Sequence, residues 1–275
     1  MTLTIEQVTT LVGAHRYGST AAKIGFLLTD SRSLCFPEET LFFALRSERN
    51  DGHNYIPELY RRGVSNFVVV DVPKDYERLY PRANFLKVVS PLKALQRLAE
   101  RHRDAFNVPV IGITGSNGKT MVKEWLYQLL SPSMVVTRSP RSYNSQIGVP
   151  LSVWLMNEET QVGIFEAGIS QPGEMQALRD IIQPTIGVMT NLGAAHQENF
   201  GSMEEKCRQK MLLFHDAHTM VYDADDPIVA KMAAQLDEKG ERLYWSATDW
   251  QAPMFIKGIN KGEAATIIEY VYKQG

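Results

Sequence analysis

The chain has 275 residues, 44% of them hydrophobic, and a formal net charge of −2. At about 100–200 residues per domain this length points to two domains, each able to bury its own core. The near-neutral charge excludes nucleic-acid binding through a broad basic field, and no apolar stretch approaches the roughly 18 residues that would cross a membrane.

In chain order, Thr4-Ile5-Glu6-Gln7 reads as a capping box opening a short helix that ends near Gly13. Residues Glu39–Leu45 carry a buried strand, Asn54–Arg62 a helix stopped by Gly63, and Asn66–Val70 a β-branched strand. Ser90-Pro91 is a helix N-cap with proline in the first turn, and that helix runs to about Phe106. Asn107-Val108-Pro109 breaks the pattern, and the domain boundary is placed there: residues 1–106, then 107–275. Beyond it, strands are predicted at 110–114, 134–137, 162–167, 185–190, 219–222 and 243–246. Helices are predicted at 119–130, 148–156, 174–182, 203–215 and 227–236. Apolar strands alternating with helices imply an α/β fold with a mostly parallel sheet. The segment from Met254 to Tyr272 reads as two strands joined by a Gly-rich turn near Gly258 to Gly262. Cys35 and Cys207 belong to no CxxC pattern, and the N-terminus has no basic region followed by an apolar run. A reducing, cytoplasmic setting is expected.

The strongest local signal is Thr114-Gly115-Ser116-Asn117-Gly118-Lys119-Thr120, between a strand and a helix. Glycines let such a turn aim backbone N–H groups at phosphate oxygens, and the helix N-terminus adds partial positive charge. Lys119 would reach the outer phosphates and Thr120 would offer a hydroxyl to Mg²⁺. The spacing departs from the common phosphate loop, since five residues separate Gly112 from Gly118. An ordinary strand-to-helix turn with a surface lysine is the competing reading. The placement between strand and helix disfavours it.

The variant loop resembles that of the Mur ligases and of folylpolyglutamate synthase. Further blocks follow in the same order: Val162–Gly168 with Glu166, Asn191–His196, Lys210–Phe214, and Tyr143–Pro150 ending in Ile-Gly-x-Pro. In the first domain, Asp30-Ser31-Arg32, Leu41–Leu45 and Arg49–His53 look like a uridine-nucleotide domain, which folylpolyglutamate synthase lacks. His196–Ser202 favours the dipeptide-adding branch of the Mur ligases. The resemblance implies an ATP-dependent amide ligase of peptidoglycan precursor synthesis. It would join D-Ala-D-Ala to UDP-N-acetylmuramoyl-tripeptide through an acyl phosphate.

The same resemblance implies site roles. Residues Thr114, Gly115, Ser116, Asn117, Gly118, Lys119 and Thr120 would bind ATP. Lys119, Glu166, His196 and Lys210 would be catalytic. Thr120, Glu166, His196 and Lys210 would hold two Mg²⁺ ions, Lys210 as a carbamate. Ser31, Arg32, Arg49, Asp51, Gly52, His53, Asn144 and Ser145 would contact the UDP-linked substrate. On the residues alone Glu166 reads as a solvent-facing loop carboxylate, Lys210 as part of a solvated basic face with Arg208, and Asn144 as a helix cap.

Asp223-Ala224-Asp225 stands where the family often has Asn-x-Asp. The chain stops at Gly275, whereas family members continue with a Gly-x-His-Asn block and a third domain. A C-terminally truncated, poorly active ligase is therefore expected, and a parent chain fused to alanine racemase is compatible with it. The alternatives are a third-residue-adding ligase, a non-catalytic UDP-muramoyl-peptide binding module, and a small-molecule phosphotransferase.

Overall fold

The computed structural model describes residues 2–236 and 240–273. The chain divides into two compact units, Met1–Phe106 and Asn107–Gly275.

The first unit opens with β1 (Leu3–Thr4) and α1 (Ile5–Val12). Thr4 caps α1: its hydroxyl accepts from the Gln7 amide, and the Gln7 side chain returns a bond to the Thr4 amide. Gly13 ends the helix in the left-handed region, as the capping pattern predicts. Then come β2 (His15–Tyr17), β3 (Lys23–Ile24), β4 (Phe26–Leu28), β5 (Thr40–Phe43), α2 (Ile56–Arg61), β6 (Asn66–Val69), α3 (Tyr76–Leu79), β7 (Asn84–Lys87) and α4 (Pro91–Arg103). The sheet order is β2-β7-β6-β5-β4, parallel except for β2 against β7. Phe67 and Phe85 stack with centroids 5.3 Å apart in a core that includes Leu28, Phe42, Ile56 and Leu59. The strands β1 to β4 are two or three residues long and carry no alternation that a sequence reading could detect.

The second unit contains β8 (Val110–Thr114), α5 (Lys119–Leu130), β9 (Val136–Arg138), α6 (Gly148–Val153), β10 (Val162–Glu166), α7 (Glu174–Ile182) and β11 (Ile186–Met189). It continues with α8 (Met203–Met211), β12 (Thr219–Asp223), α9 (Pro227–Ala233), β13 (Glu241–Ser246), β14 (Met254–Lys261) and β15 (Thr266–Tyr272). Its sheet runs β15-β14-β13-β12-β11-β8-β10-β9, all parallel except the final hairpin. Every residue of β8 and β10 is buried, as expected for strands covered on both faces. From β8 the chain moves to β9 and β10 on one side and to β11 on the other. In open α/β sheets, ligands gather beyond the carboxyl ends of strands at such a switch.

Several predicted helices end about a turn early, α4 at Arg103, α6 at Val153 and α9 at Ala233 among them, and two expectations shift in kind. The helix predicted to reach His215 ends at Met211 and tightens into a 3₁₀ turn over Leu212–Phe214. The tail turn lies beyond Lys261, because Gly258 sits at an irregularity inside β14 rather than in the turn.

Truncating the stacked Phe67 to alanine is expected to destabilise the protein by about 3–5 kcal/mol, since the buried ring leaves a cavity. Urea denaturation followed by far-ultraviolet circular dichroism measures this; a loss under about 1 kcal/mol would contradict the packing described.

Candidate active site

The turn after β8 is held from outside by the segment after β11. The Ser116 amide donates to the Asn191 carbonyl at 3.0 Å, and the Asn117 amide to Asn191 Oδ1 at 2.9 Å. Thr190 Oγ1 donates to the Asn117 carbonyl at 2.6 Å. Ser116 Oγ donates to the Gly193 carbonyl at 3.1 Å and accepts from the Gly193 amide at 2.8 Å. Gly115 adopts φ +143°, and a Cβ there would run into Thr190 Oγ1, so the position requires glycine. With the Ser116 and Asn117 amides already bonded, the donors left for an anion at this turn are the first-turn amides of α5, which have no partner within the helix. Gly118 precedes them in the left-handed conformation.

Three lysines surround this turn. Lys119 Nζ donates to the carbonyls of Gly115 at 2.8 Å and Ser116 at 3.3 Å. Lys210 Nζ donates to the same Gly115 carbonyl at 3.1 Å. Lys206 Nζ donates to the Gly193 carbonyl. Burial lowers the pKa of Lys119 and Lys206, against opposing attraction from Glu166 and Glu198 respectively. Burial, reinforced by the neighbouring Lys119 and Lys206, pushes Lys210 down to about 8.

On the other side of the turn, Thr120 Oγ1 donates to Glu166 Oε2 at 3.0 Å, and Asn144 Nδ2 approaches the same oxygen at 3.5 Å. Glu166 ends β10 with 0% exposure, and its amide donates to Ser139 Oγ. Lys123, also 0% exposed, lies one turn beyond Lys119 and places Nζ 3.1 Å from Glu166 Oε1. The first amide of α6 is met by Ser145 rather than Asn144: Ser145 Oγ accepts from the Gly148 amide at 3.2 Å.

A cavity of about 320 Å³ brings Gly115, Ser116, Lys119, Asn144, Ser145, His196 and Lys210 together. His196 is exposed and adopts φ +58° at the start of a 3₁₀ turn. Among the described residues no cluster of three or more His, Cys, Asp or Glu forms a ready-made metal cage. Thr120 and Glu166 nonetheless fit Mg²⁺, which takes few protein oxygens and completes its shell with water and phosphate. Glu166 Oε2, beside the Thr120 hydroxyl, is the carboxylate oxygen that would meet such an ion, while Oε1 lies against Lys123. The Lys210 amine, its pKa lowered to about 8, fits that chemistry too.

The residues alone made Glu166 solvent-facing and Lys210 part of a basic surface. Both are buried, at 0% and 3% exposure. Lys123 and Lys206 escaped the sequence reading. Their only trace was i, i+4 spacing from Lys119 and Lys210, which places each beside a site lysine on the same helix face. Thr114 belongs to the loop as a brace: its buried hydroxyl donates to the Ala167 carbonyl at 2.8 Å.

In the first unit, a cavity of about 420 Å³ is lined by Thr29, Asp30, Ser31, Arg32, Asn50 and Tyr55. Ser31 and Arg32 are therefore brought together there. Arg49, Asp51, Gly52 and His53 are not in its lining. His53 Nδ1 contacts Asp51 Oδ1 at 2.6 Å, while Nε2 accepts from the Val70 amide at 3.1 Å, so both ring nitrogens are used internally. Burial raises the Asp51 carboxyl, but bonds from the His53 amide and ring and from Arg46 outweigh it and hold Asp51 at about 2. A Cβ on Gly52 would sit 2.7 Å from the Leu45 amide nitrogen. Asp51, Gly52 and His53 thus latch the loop behind Asn50 and Tyr55.

Because Lys210 is depressed from 10.5, its neutral amine predominates above about pH 8 rather than only in the ordinary lysine range. Pulse acylation with limiting anhydride, read at Lys210 by mass spectrometry, should be half-maximal near pH 8. A midpoint near that of exposed lysines would contradict the burial account.

The sequence profile of the Mur ligase middle domain matches residues 113–272. A Bacillus subtilis UDP-N-acetylmuramoyl-tripeptide–D-alanyl-D-alanine ligase is 31% identical over 208 residues, covering 73% of this chain and 44% of that protein. The Synechocystis enzyme of the same name is 32% identical over 247 residues, covering 88% and 50%. The crystal structure of the MurF ligase from Thermotoga maritima in complex with ADP superposes with a TM-score of 0.77 at 27% identity, covering 90% of this chain and 56% of that one. The chain thus spans about half the length of the curated relatives it matches. The profile match takes in more than half of the chain, from the last two residues of β8 through the braced phosphate loop, Glu166 and Lys210 to β15, and the chain belongs to the Mur ligase family.

Proposed function

We propose that this chain carries the ATP-binding part, and a UDP-substrate-binding part, of a cytoplasmic ligase that joins D-alanyl-D-alanine to UDP-N-acetylmuramoyl-tripeptide. The observation that carries the reading is the convergence of Lys119, Thr120, Glu166 and Lys210 on one phosphate loop, in a chain whose named relatives bear that activity.

The reaction balances without a redox partner. A peptide carboxylate attacks the γ-phosphorus of ATP, the bond to the ADP oxygen breaks, and an acyl phosphate forms. The dipeptide amine then attacks the acyl carbon, loses a proton, and phosphate leaves. Two anions must approach each other, so the site must supply fixed positive charge. Lys119 and the first-turn amides of α5 would hold the β- and γ-phosphates. Thr120 and Glu166 would hold one Mg²⁺, and His196 with a carbamylated Lys210 a second. Bound there, Mg²⁺ spreads the charge that develops on the transferring phosphoryl oxygens. Lys210 suits carbamylation because burial lowers its pKa to about 8, giving it a far larger neutral fraction than an exposed lysine. As an ammonium it would pair with phosphate instead. Asn144 and Ser145, on the same cavity wall, suit the peptide or phosphate end of the substrate. Ser31 and Arg32, with Asn50 and Tyr55, offer the hydroxyl, guanidinium and amide donors that a uridine diphosphate needs.

Lys119→Ala is expected to weaken binding of a non-hydrolysable ATP analogue by about 10- to 100-fold, the loss of one charge-assisted contact. Calorimetry checks this. On the same chain, UDP-N-acetylmuramoyl-tripeptide should bind about tenfold or more tightly than the corresponding dipeptide. Preference for the dipeptide would reassign the chain to the ligase that adds the third residue. Substrate binding with no nucleotide binding would reduce it to a non-catalytic module.

A further inference from the structure

Lys123 is a fully buried cation that the phosphate-binding reading leaves without a role. It lies on α5 one turn beyond Lys119, and its Nζ is ringed by four acceptors. The Ser139 carbonyl is at 2.9 Å, the Arg141 carbonyl is in contact, and Glu166 Oε1 and Glu124 Oε1 are each at 3.1 Å. An ammonium has three protons, so these partners exceed its capacity. Glu124 has a second partner in Arg138 at 3.2 Å, while Glu166 Oε1 faces no other cation at this range among the described residues. Burying an ammonium is costly unless it is paired, so the pairing with Glu166 constrains both groups.

The two oxygens of Glu166 therefore differ. Oε2 faces Thr120 Oγ1 and Asn144 Nδ2. Oε1 faces the Lys123 ammonium, outside hydrogen-bonding alignment but within 3.1 Å. A cation beside Oε1 repels any second positive charge from that oxygen. A metal ion reaching Glu166 is thus confined to Oε2. Mg²⁺ takes one oxygen from each carboxylate in a tight octahedron, whereas Ca²⁺ readily takes both oxygens of a carboxylate in a larger shell.

We infer that Lys123 is a positioning residue that makes Glu166 a one-oxygen ligand and so biases the nucleotide site toward Mg²⁺ and against Ca²⁺. This rests on the proposed assignment of Glu166 to a metal. The same contacts tie the Ser139–Arg141 segment, which leads into Asn144 and Ser145, to the phosphate-loop helix.

The test measures binding of β,γ-imido-ATP to the chain by calorimetry with MgCl₂ or CaCl₂, for the parent sequence and Lys123→Met. The parent should favour the Mg²⁺ form by about tenfold or more, and the variant should bring the two within about threefold, chiefly by tightening the Ca²⁺ form. An unchanged ratio in a folded variant would overturn the inference while leaving the phosphate site intact. Absence of nucleotide binding by the parent chain would overturn both. Infrared spectroscopy of the unmutated chain gives a second reading that does not depend on Lys123→Met folding. With Ca²⁺ and the analogue, the carboxylate bands removed by Glu166→Gln should show the splitting of one-oxygen ligation. A two-oxygen pattern would overturn the inference.

Discussion

The grip of the Thr190–Gly193 segment on the phosphate loop is the constraint on which the rest of the site depends. β8 and β11 are adjacent and parallel, so their following loops leave the same edge of the sheet. Asn191 then satisfies two loop amides with its own carbonyl and side chain, and Ser116 exchanges two bonds with Gly193. Only a residue without a Cβ fits at Gly115 under Thr190. This bracing sets where α5 begins, and so where Lys119, Thr120 and Lys123 point. A loop held by a neighbouring strand needs less ordering when a ligand arrives, which is how preorganised phosphate sites gain affinity.

Charge is concentrated beneath that loop. Glu166, Lys123, Lys206 and Lys210 are all buried, and each cation meets backbone carbonyls or a carboxylate. In a low-dielectric setting these groups act more strongly on a phosphate than surface lysines would, and an unpaired one would be correspondingly costly. The depressed Lys210 records this: burial comes first, and the two neighbouring lysines add to it. The first unit uses the same device on a smaller scale, with Asp51 held ionised between His53 and Arg46 behind the Asn50–Tyr55 wall.

Much of the second unit was legible because its elements are long, apolar and periodic. β8, β10 and α5 stand where strand–turn–helix patterning places them, and the loop between β8 and α5 carries its own glycine signature. The two- and three-residue strands of the first unit were not legible, since pairing of β1 with β3, β2 with β7 and β4 with β5, rather than local pattern, makes them strands. Burial of charge was also hidden. Glu166 and Lys210 look like surface residues until β10 and α8 carry them under the loop, and Lys123 looks like any helix lysine until β9 delivers the Ser139 and Arg141 carbonyls to it. The latch role of Asp51 and His53 was missed for the same reason: the Val70 amide that completes it arrives from seventeen residues away.

The central claim is that this braced loop, through the first turn of α5, binds the phosphates of ATP. Amide hydrogen exchange with and without Mg²⁺ and β,γ-imido-ATP tests it most directly. The account predicts new protection at Gly118, Lys119, Thr120 and Met121, and little change at Ser116 and Asn117, whose amides Asn191 already holds. Nucleotide-independent exchange across residues 118–121 would contradict it.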